Sequence, residues 1–206
     1  METLFAPLGE LEEYDQLIRG IKQGEFPVQL IGCMDTQESH MIYGTGRDKR
    51  IRLVITHNEV RAKELVEDLK LYDHDVMYYP AKDFIFYSAD VHGQAIVKER
   101  LKVIKRLLEK EPLTVVTTLD GGMDYCLPFE RYQENRIHVA EEEILDLEEF
   151  KKNLVAIVYE NTGQVQKEGE FSVRGGIVDV FPLTEECPYR IELWGDEVDG
   201  IRRIDV

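Results

Sequence analysis

The order in which apolar patterns follow one another limits the fold of this chain more than any other feature. Up to about residue 126, short apolar runs alternate with amphipathic helical patterns. Beyond it, strand patterns succeed one another with little more than turns between them. Leu11, Tyr14, Leu17, Ile18 and Ile21 recur at helical spacing over residues 10–22. The run 28–31 (Val-Gln-Leu-Ile), ending at Gly32, reads as a buried strand, and 51–55 as a second. Asn58 stands where an N-cap is needed for a helix carried by Val60, Leu65, Val66 and Leu69. Residues 75–79 make a third strand, stopped by Pro80. Ile96, Val97, Leu101, Ile104 and Leu108 predict a helix over 94–110, and 113–118 a fourth strand. Strands alternating with helices call for crossover connections and a parallel sheet.

The second half reads differently. Residues 135–140 have a strand pattern, and the acidic run 141–143 leads into a helix near 146–158 with Leu147, Phe150, Leu154 and Ile157. Strands at 170–173 and 177–181 flank Gly175-Gly176. Tyr189, Ile191 and Leu193 then alternate with Arg190, Glu192 and Trp194, and Gly195-Asp196 turns into 198–206. The expected fold class is therefore α/β: a parallel-sheet domain over 1–126, followed over 127–206 by a small α+β domain with an antiparallel sheet. The strand pattern runs to the last residue, so the chain is expected to be a fragment.

Charge narrows the function. The 25 basic side chains face 41 acidic ones, a net of −16. Residues 1–126 carry a net of −6 and residues 127–206 a net of −10. Binding a nucleic-acid backbone requires cations to neutralise phosphates, so tight nonspecific binding of DNA or RNA is not expected. No apolar run nears the roughly 18 residues needed to cross a bilayer. The start has neither the basic flank nor the apolar stretch of a secretory signal. Cys33, Cys126 and Cys187 lie far apart, the pattern of reduced thiols rather than of zinc or disulfides. No membrane, no cofactor, no metal, a cytoplasmic location and a monomer are the corresponding expectations.

One phosphate-binding motif is nearly present. A P-loop follows a strand and reads G-x-x-x-x-G-K-[ST], the lysine neutralising phosphate charge and the hydroxyl reaching Mg²⁺. Here Gly32 and Ser39 fit, but Gln37 replaces the second glycine and Glu38 the lysine. A carboxylate at Glu38 would repel the phosphates. The stretch reads as a broken P-loop or, more in keeping with these residues alone, as one that was never a P-loop, and on either reading nucleotide binding is not expected at Gly32, Gln37, Glu38 and Ser39. Helix 94–110 bears Lys98, Arg100, Lys102, Lys105, Arg106 and Lys110. They read as a nucleic-acid patch or, with Glu99, Glu109 and Glu111 among them, as a solvated face, and the overall acidity favours the latter. Tyr78, Tyr79, Phe84, Phe86 and Tyr87 gather around Pro80, where they would stack on bases or, more in keeping with the acidity, pack a sheet edge. The five histidines are scattered, and no spacing argues for a catalytic triad or a carboxylate pair. Arg174, beside Gly175-Gly176, reads either as an interface arginine using its planar fork or as a surface arginine paired with Glu170 or Asp179.

Residues 169–182, GEFSVRGGIVDVFP, resemble the GEFxxRGGxxDxxP motif of the bacterial transcription-repair coupling factors. PYRIEL at 188–193 and DEVDGIR at 196–202 continue the likeness. Tyr79-Pro80, Asp83 and the Lys98-Glu99-Arg100-Leu101 helix extend it more loosely into the first half. The resemblance implies a module related to the excision-repair helicase UvrB: a degenerate helicase-like domain 1a over 1–126 and a domain 2 over 127–206 that binds UvrA. In that family domain 1a has lost its ATP site, as Gln37 and Glu38 match. UvrB keeps its P-loop and a long Tyr-rich hairpin, for which the stretch from Tyr72 to Tyr79 leaves no room. The implied role is non-catalytic recruitment of UvrA to stalled RNA polymerase during transcription-coupled repair. The alternatives are a fragment of a UvrB-type nucleotide-dependent helicase and a DNA-binding module. The family's translocase motor and its contacts with RNA polymerase and double-stranded DNA would lie outside residues 1–206, as would the intramolecular contacts that mask domain 2. For sites, the resemblance implies Arg174 as a UvrA-binding residue, with an exposed edge at Glu170, Phe171 and Asn161 around it. The family arginine of a Tyr-x-Arg segment is Asn161 here, and Ser172 matches a further arginine of UvrB.

Overall fold

A computed structural model describes residues 6–46, 51–82, 90–157 and 159–205, with the side chains of 90–94 left out. Contacts divide the chain into two compact units, 1–124 and 125–206.

The first unit is built on three parallel strands, β1 (Ile51–Thr56), β2 (Val76–Tyr79) and β3 (Leu113–Thr118), in the order β1-β3-β2. β3 is central, and all six of its residues are buried, as expected of a parallel strand covered on both faces. Helix α1 (Glu12–Gln23) and helix α2 (Asp35–Gly46) precede the sheet. Helix α3 (Glu59–Lys70) sends Ala62, Leu65, Val66 and Leu69 onto Val76 and Val116. Its first turn is held by Asn58, whose side chain accepts from the Arg61 amide at 2.8 Å. Helix α4 (Asp90–Leu108) places Val103 and Leu107 against Leu113 and Val115. A short helix, α5 (Leu119–Met123), follows β3 with Thr118 as its N-cap.

One expectation fails here. Residues 28–31 are not a strand: no regular structure forms, and Val28, Leu30 and Ile31 are all exposed. A continuous apolar run does not by itself distinguish a strand from loop. A strand also needs a neighbour to complete its ladder, and β1 pairs only with β3 among the described residues. The outward face of β1 (Ile51, Leu53, Ile55) is correspondingly uncovered. Phe84, Phe86 and Tyr87 lie outside the described residues.

The second unit is a five-stranded sheet in sequence order: β4 (Glu160–Asn161), β5 (Glu170–Arg174), β6 (Ile177–Val180), β7 (Tyr189–Trp194) and β8 (Glu197–Arg203). β4 runs parallel to β5, and the other pairs are antiparallel. Helix α6 (Phe129–Glu134) opens the unit. Helix α7 (Leu147–Ala156), capped by Asp146 accepting from the amides of Glu148 and Glu149, lays Phe150 and Leu154 on one sheet face. There they meet Phe171, Val178, Val180, Ile191 and Val198. The other face carries polar residues, the usual division of an antiparallel sheet. Residues 135–140 are not a strand. Ile137 and Val139 still pack on the core, but no ladder forms, and the one bridge nearby joins Ile144 to Glu197. Alternation thus predicted inward and outward positions correctly and pairing wrongly.

Candidate functional site

The two-residue turn between β5 and β6 fixes what comes together on the polar face of the second sheet. Gly175 takes a φ of +61°, a left-handed conformation that favours glycine. Gly176 answers a different need: a Cβ there would stand 2.8 Å from the Leu193 carbonyl oxygen, while the Leu193 amide donates to the Gly176 carbonyl at 2.7 Å. With this turn, Arg174 pairs with Ile177 and Ser172 with Asp179. β7 and β8 extend the rows, so Ser172, Asp179, Arg190 and Arg202 lie side by side across four strands.

Asp179 is the hub of that face. Its carboxylate is only 4% exposed and accepts three hydrogen bonds. Arg190 Nε donates at 2.6 Å to one oxygen and a terminal Arg190 nitrogen at 2.9 Å to the other. A terminal nitrogen of Arg174 donates to that second oxygen at 2.7 Å. The Arg190 hydrogen bonds hold the Asp179 carboxyl below the usual carboxylate range, and Arg174 adds to this against the opposing effect of burial. The Arg174 side chain remains 55% exposed. Of the two readings of Arg174, the pairing is observed, with Asp179 and not Glu170, and the half-exposed guanidinium leaves the interface reading open.

The surrounding residues are placed otherwise than expected. Phe171 is fully buried in the core. Glu170 is buried as well, its carboxylate accepting from the amides of Gln166 and Lys167 at 2.7 and 3.2 Å, so it closes the loop before β5. Ser172 is buried and donates to the Gly163 carbonyl at 3.2 Å. The exposed edge expected at Glu170 and Phe171 is thus corrected: odd positions of β5 point into the core, and the loop 162–169 covers the even ones except Arg174. Asn161 is exposed at the sheet margin, on β4. Sequence reasoning missed Arg190. Alternation gave its outward side, but the register that sets it beside Asp179 depends on the connection 181–188, which carries no periodic signal.

The segment 32–39 that partly matches a P-loop is bonded within itself. Gly32 has a φ of +86°, and α2 begins at Asp35. The Met34 amide donates to Gln37 Oε1 at 3.2 Å, and the Gln37 and Glu38 amides donate to the Met34 carbonyl at 2.8 and 3.0 Å. The amides of Met34, Gln37 and Glu38 are thus already bonded within the segment. Glu38, in the lysine position, accepts from Arg61 at 2.6 Å, and Ser39 is buried. In helix α4, Arg100 is buried, donating to the Pro80 carbonyl at 2.7 Å and to Asp124 at 3.2 Å, with its guanidinium 4.1 Å from the Tyr79 ring centroid. Arg106 donates to Asp75 and Glu111. Arg100 and Arg106 of the supposed nucleic-acid patch are therefore committed within the unit. Among the described residues, no three His, Cys, Asp or Glu side chains converge as a metal site requires, and no helix is long and apolar enough to cross a membrane.

Comparison with known proteins adds a separate line of observation. Residues 137–206 match the family described as the UvrB interaction domain. The chain is 30% identical over 205 residues to the transcription-repair-coupling factor of Bacillus subtilis (strain 168), covering 98% of itself and 17% of that protein. The factor of Staphylococcus haemolyticus (strain JCSC1435) is 34% identical over 162 residues, 78% of this chain and 14% of that protein. That of Staphylococcus aureus (strain USA300) is 33% identical over 156 residues, 75% of this chain and 13% of that protein. The chain thus spans less than a fifth of the length of these relatives.

Proposed function

Because this chain is a segment of the transcription-repair coupling factor kind, we propose that it recruits the excision-repair protein UvrA and catalyses no reaction itself. The observation that carries the reading is Arg174, fixed by a buried carboxylate yet half exposed on the polar sheet face. A guanidinium so placed has N–H groups left for an acceptor on a partner, and a charge-assisted contact of this kind contributes about 1.5–3 kcal/mol when desolvated. Asn161, exposed at the margin of the same sheet, supplies a shorter polar contact in place of the family arginine. The first unit serves in this reading as a helicase-like domain that no longer takes nucleotide. RNA polymerase and double-stranded DNA would be engaged outside this chain. Masking of the Arg174 face by another domain would act as a population switch between hidden and exposed states.

The test is a calorimetric titration of the chain with purified UvrA, repeated with Arg174→Ala. Micromolar or tighter binding, weakened about tenfold or more by the substitution, is the expected result, tenfold being about 1.4 kcal/mol. Binding unaffected by Arg174→Ala rejects the site. If the folded wild-type chain fails to bind, Asn161→Arg decides: restored binding assigns the loss to position 161, and continued failure rejects recruitment by this chain.

A further inference from the structure

The alternation of β7 is broken at one place. Ile191 and Leu193 point to the core, and Arg190 and Glu192 to solvent, as strand periodicity requires. The next outward position should also be polar, and it is Trp194, the only tryptophan of the chain, 83% exposed. Trp194 pairs with Glu197 across the β7–β8 turn. On its other side lies the β5–β6 turn, held close by the hydrogen bond between Leu193 and Gly176. Ile177, 37% exposed, is the cross-strand partner of both Arg174 and Glu192. Trp194 is two residues beyond Glu192 on the same face, so it is a diagonal neighbour of Ile177, about 7–8 Å away in a regular sheet. Arg174, Ile177 and Trp194 thus form a continuous strip at one end of the polar face.

Resting on the recruitment reading above, we infer that the UvrA footprint runs from Arg174 over Ile177 to Trp194, and that UvrA meets it with a carboxylate beside an apolar patch. Tryptophan and arginine are the residue types most concentrated at binding hot spots, and a tryptophan ring offers about 150–250 Å² for burial. Charge complementarity fixes the polar half of the partner. Asp179 is occupied by Arg190 and Arg174, and Glu192 accepts from Arg202 at 2.5 Å, so these two acids already have internal partners, while the exposed Glu197 opposite Trp194 confines the partner's carboxylate to the Arg174 end of the strip. Arg174 uses one terminal nitrogen on Asp179 and is half exposed. In a chain of net charge −16 this strip is a place where an acidic surface is admitted rather than repelled. The flat turn made by Gly175 and Gly176 leaves the ring free to be covered: a Cβ at Gly175 would find no atom within 4 Å.

The test compares UvrA binding by the wild-type chain, Trp194→Ala, Trp194→Phe and Arg174→Ala in the same titration, with circular dichroism as the check on folding. Trp194 lies outside the core, so Trp194→Ala is expected to keep the wild-type spectrum. It is expected to bind about tenfold more weakly, with Trp194→Phe recovering most of the loss. Wild-type affinity in Trp194→Ala alongside weakened binding in Arg174→Ala overturns the extended footprint and leaves recruitment standing. Full affinity in both alanine variants rejects this face as the UvrA site, and this inference with it, while recruitment stands. If the folded wild-type chain fails to bind, the same variants are compared in the Asn161→Arg background, and failure to bind there overturns the recruitment reading and this inference together.

Discussion

Removing the charge of Asp179 is expected to cost the second unit about 2–3 kcal/mol at neutral pH. Three donors converge on that carboxylate, two from Arg190 and one from Arg174. Hydrogen bonds to charged groups contribute about 1.5–3 kcal/mol each, and stripping one partner from a buried pair costs about 3–5 kcal/mol. Those values overstate the present case, because the Arg190 side chain is a quarter exposed and that of Arg174 about half. Water can take back both guanidiniums once the carboxylate is gone. Asp179→Asn keeps the shape and removes the charge. In a unit of this size each kcal/mol moves the midpoint by about 4–8 °C, so thermal unfolding should begin roughly 8–24 °C earlier. The pH dependence gives a second handle. The folded-state pKa of Asp179 lies below its unfolded value, so its contribution is complete above the ordinary carboxylate value of about 3.9 and is lost as pH falls through the depressed one. Urea unfolding followed by circular dichroism should show the full gap between wild type and Asp179→Asn at pH 7, and a closing gap on acidification. A gap under about 0.5 kcal/mol at pH 7, the range of an inconsequential surface change, or one that persists unchanged into acid, refutes the hub.

Three further outcomes follow from the same geometry. Gly176→Ala should destabilise by about 1–3 kcal/mol in urea unfolding, since its Cβ meets a backbone oxygen that cannot step aside; Gly122→Ala, whose nearest neighbour is a side-chain methyl at 3.8 Å, should fall well short of that. Asn58→Ala should cost about 0.5–2 kcal/mol through loss of the α3 cap, read in the same assay. The double substitution Gln37→Gly with Glu38→Lys should leave Mg²⁺–ATP binding undetectable by calorimetry, because the strand that precedes a working P-loop does not form at 28–31.

What could be read from the sequence divides by the range of the cause. Local periodicity set β1, α3, β2, β3 and the meander of the second unit, and the Asn58 cap followed from one residue type at one position. Pairing is a property of two segments, so the apolar runs at 28–31 and 135–140 carried no notice that their ladders would be missing. β4, two residues long, has no periodicity to detect. The family match over 137–206 agrees with the resemblance read from GEFSVRGG and PYRIEL, whose residues are contiguous and therefore visible without a fold. Burial at the site was less legible. Glu170 and Ser172 share the outward side of β5 with Arg174, and only the path of the loop 162–169 decides that they are covered.

Three arginines of the first unit and Arg174 of the second are held in different ways. In the first unit Arg61 closes on Glu38 and Glu64, Arg106 on Asp75 and Glu111, and Arg100 is buried against Pro80, Asp124 and Tyr79. Each is about a quarter exposed or less, and their bonds engage Glu38 at the start of helix α2 and two of the basic positions of helix α4. In the second unit Arg190 takes the larger share of Asp179, which leaves Arg174 oriented by a single bond and otherwise open. An arginine held at one nitrogen has already lost part of its rotamer freedom, so less entropy remains to be lost when a partner's carboxylate arrives. In the recruitment reading Asp179 and Arg190 are for that reason positioning residues for Arg174, whose guanidinium would meet a partner's carboxylate already oriented on the polar sheet face.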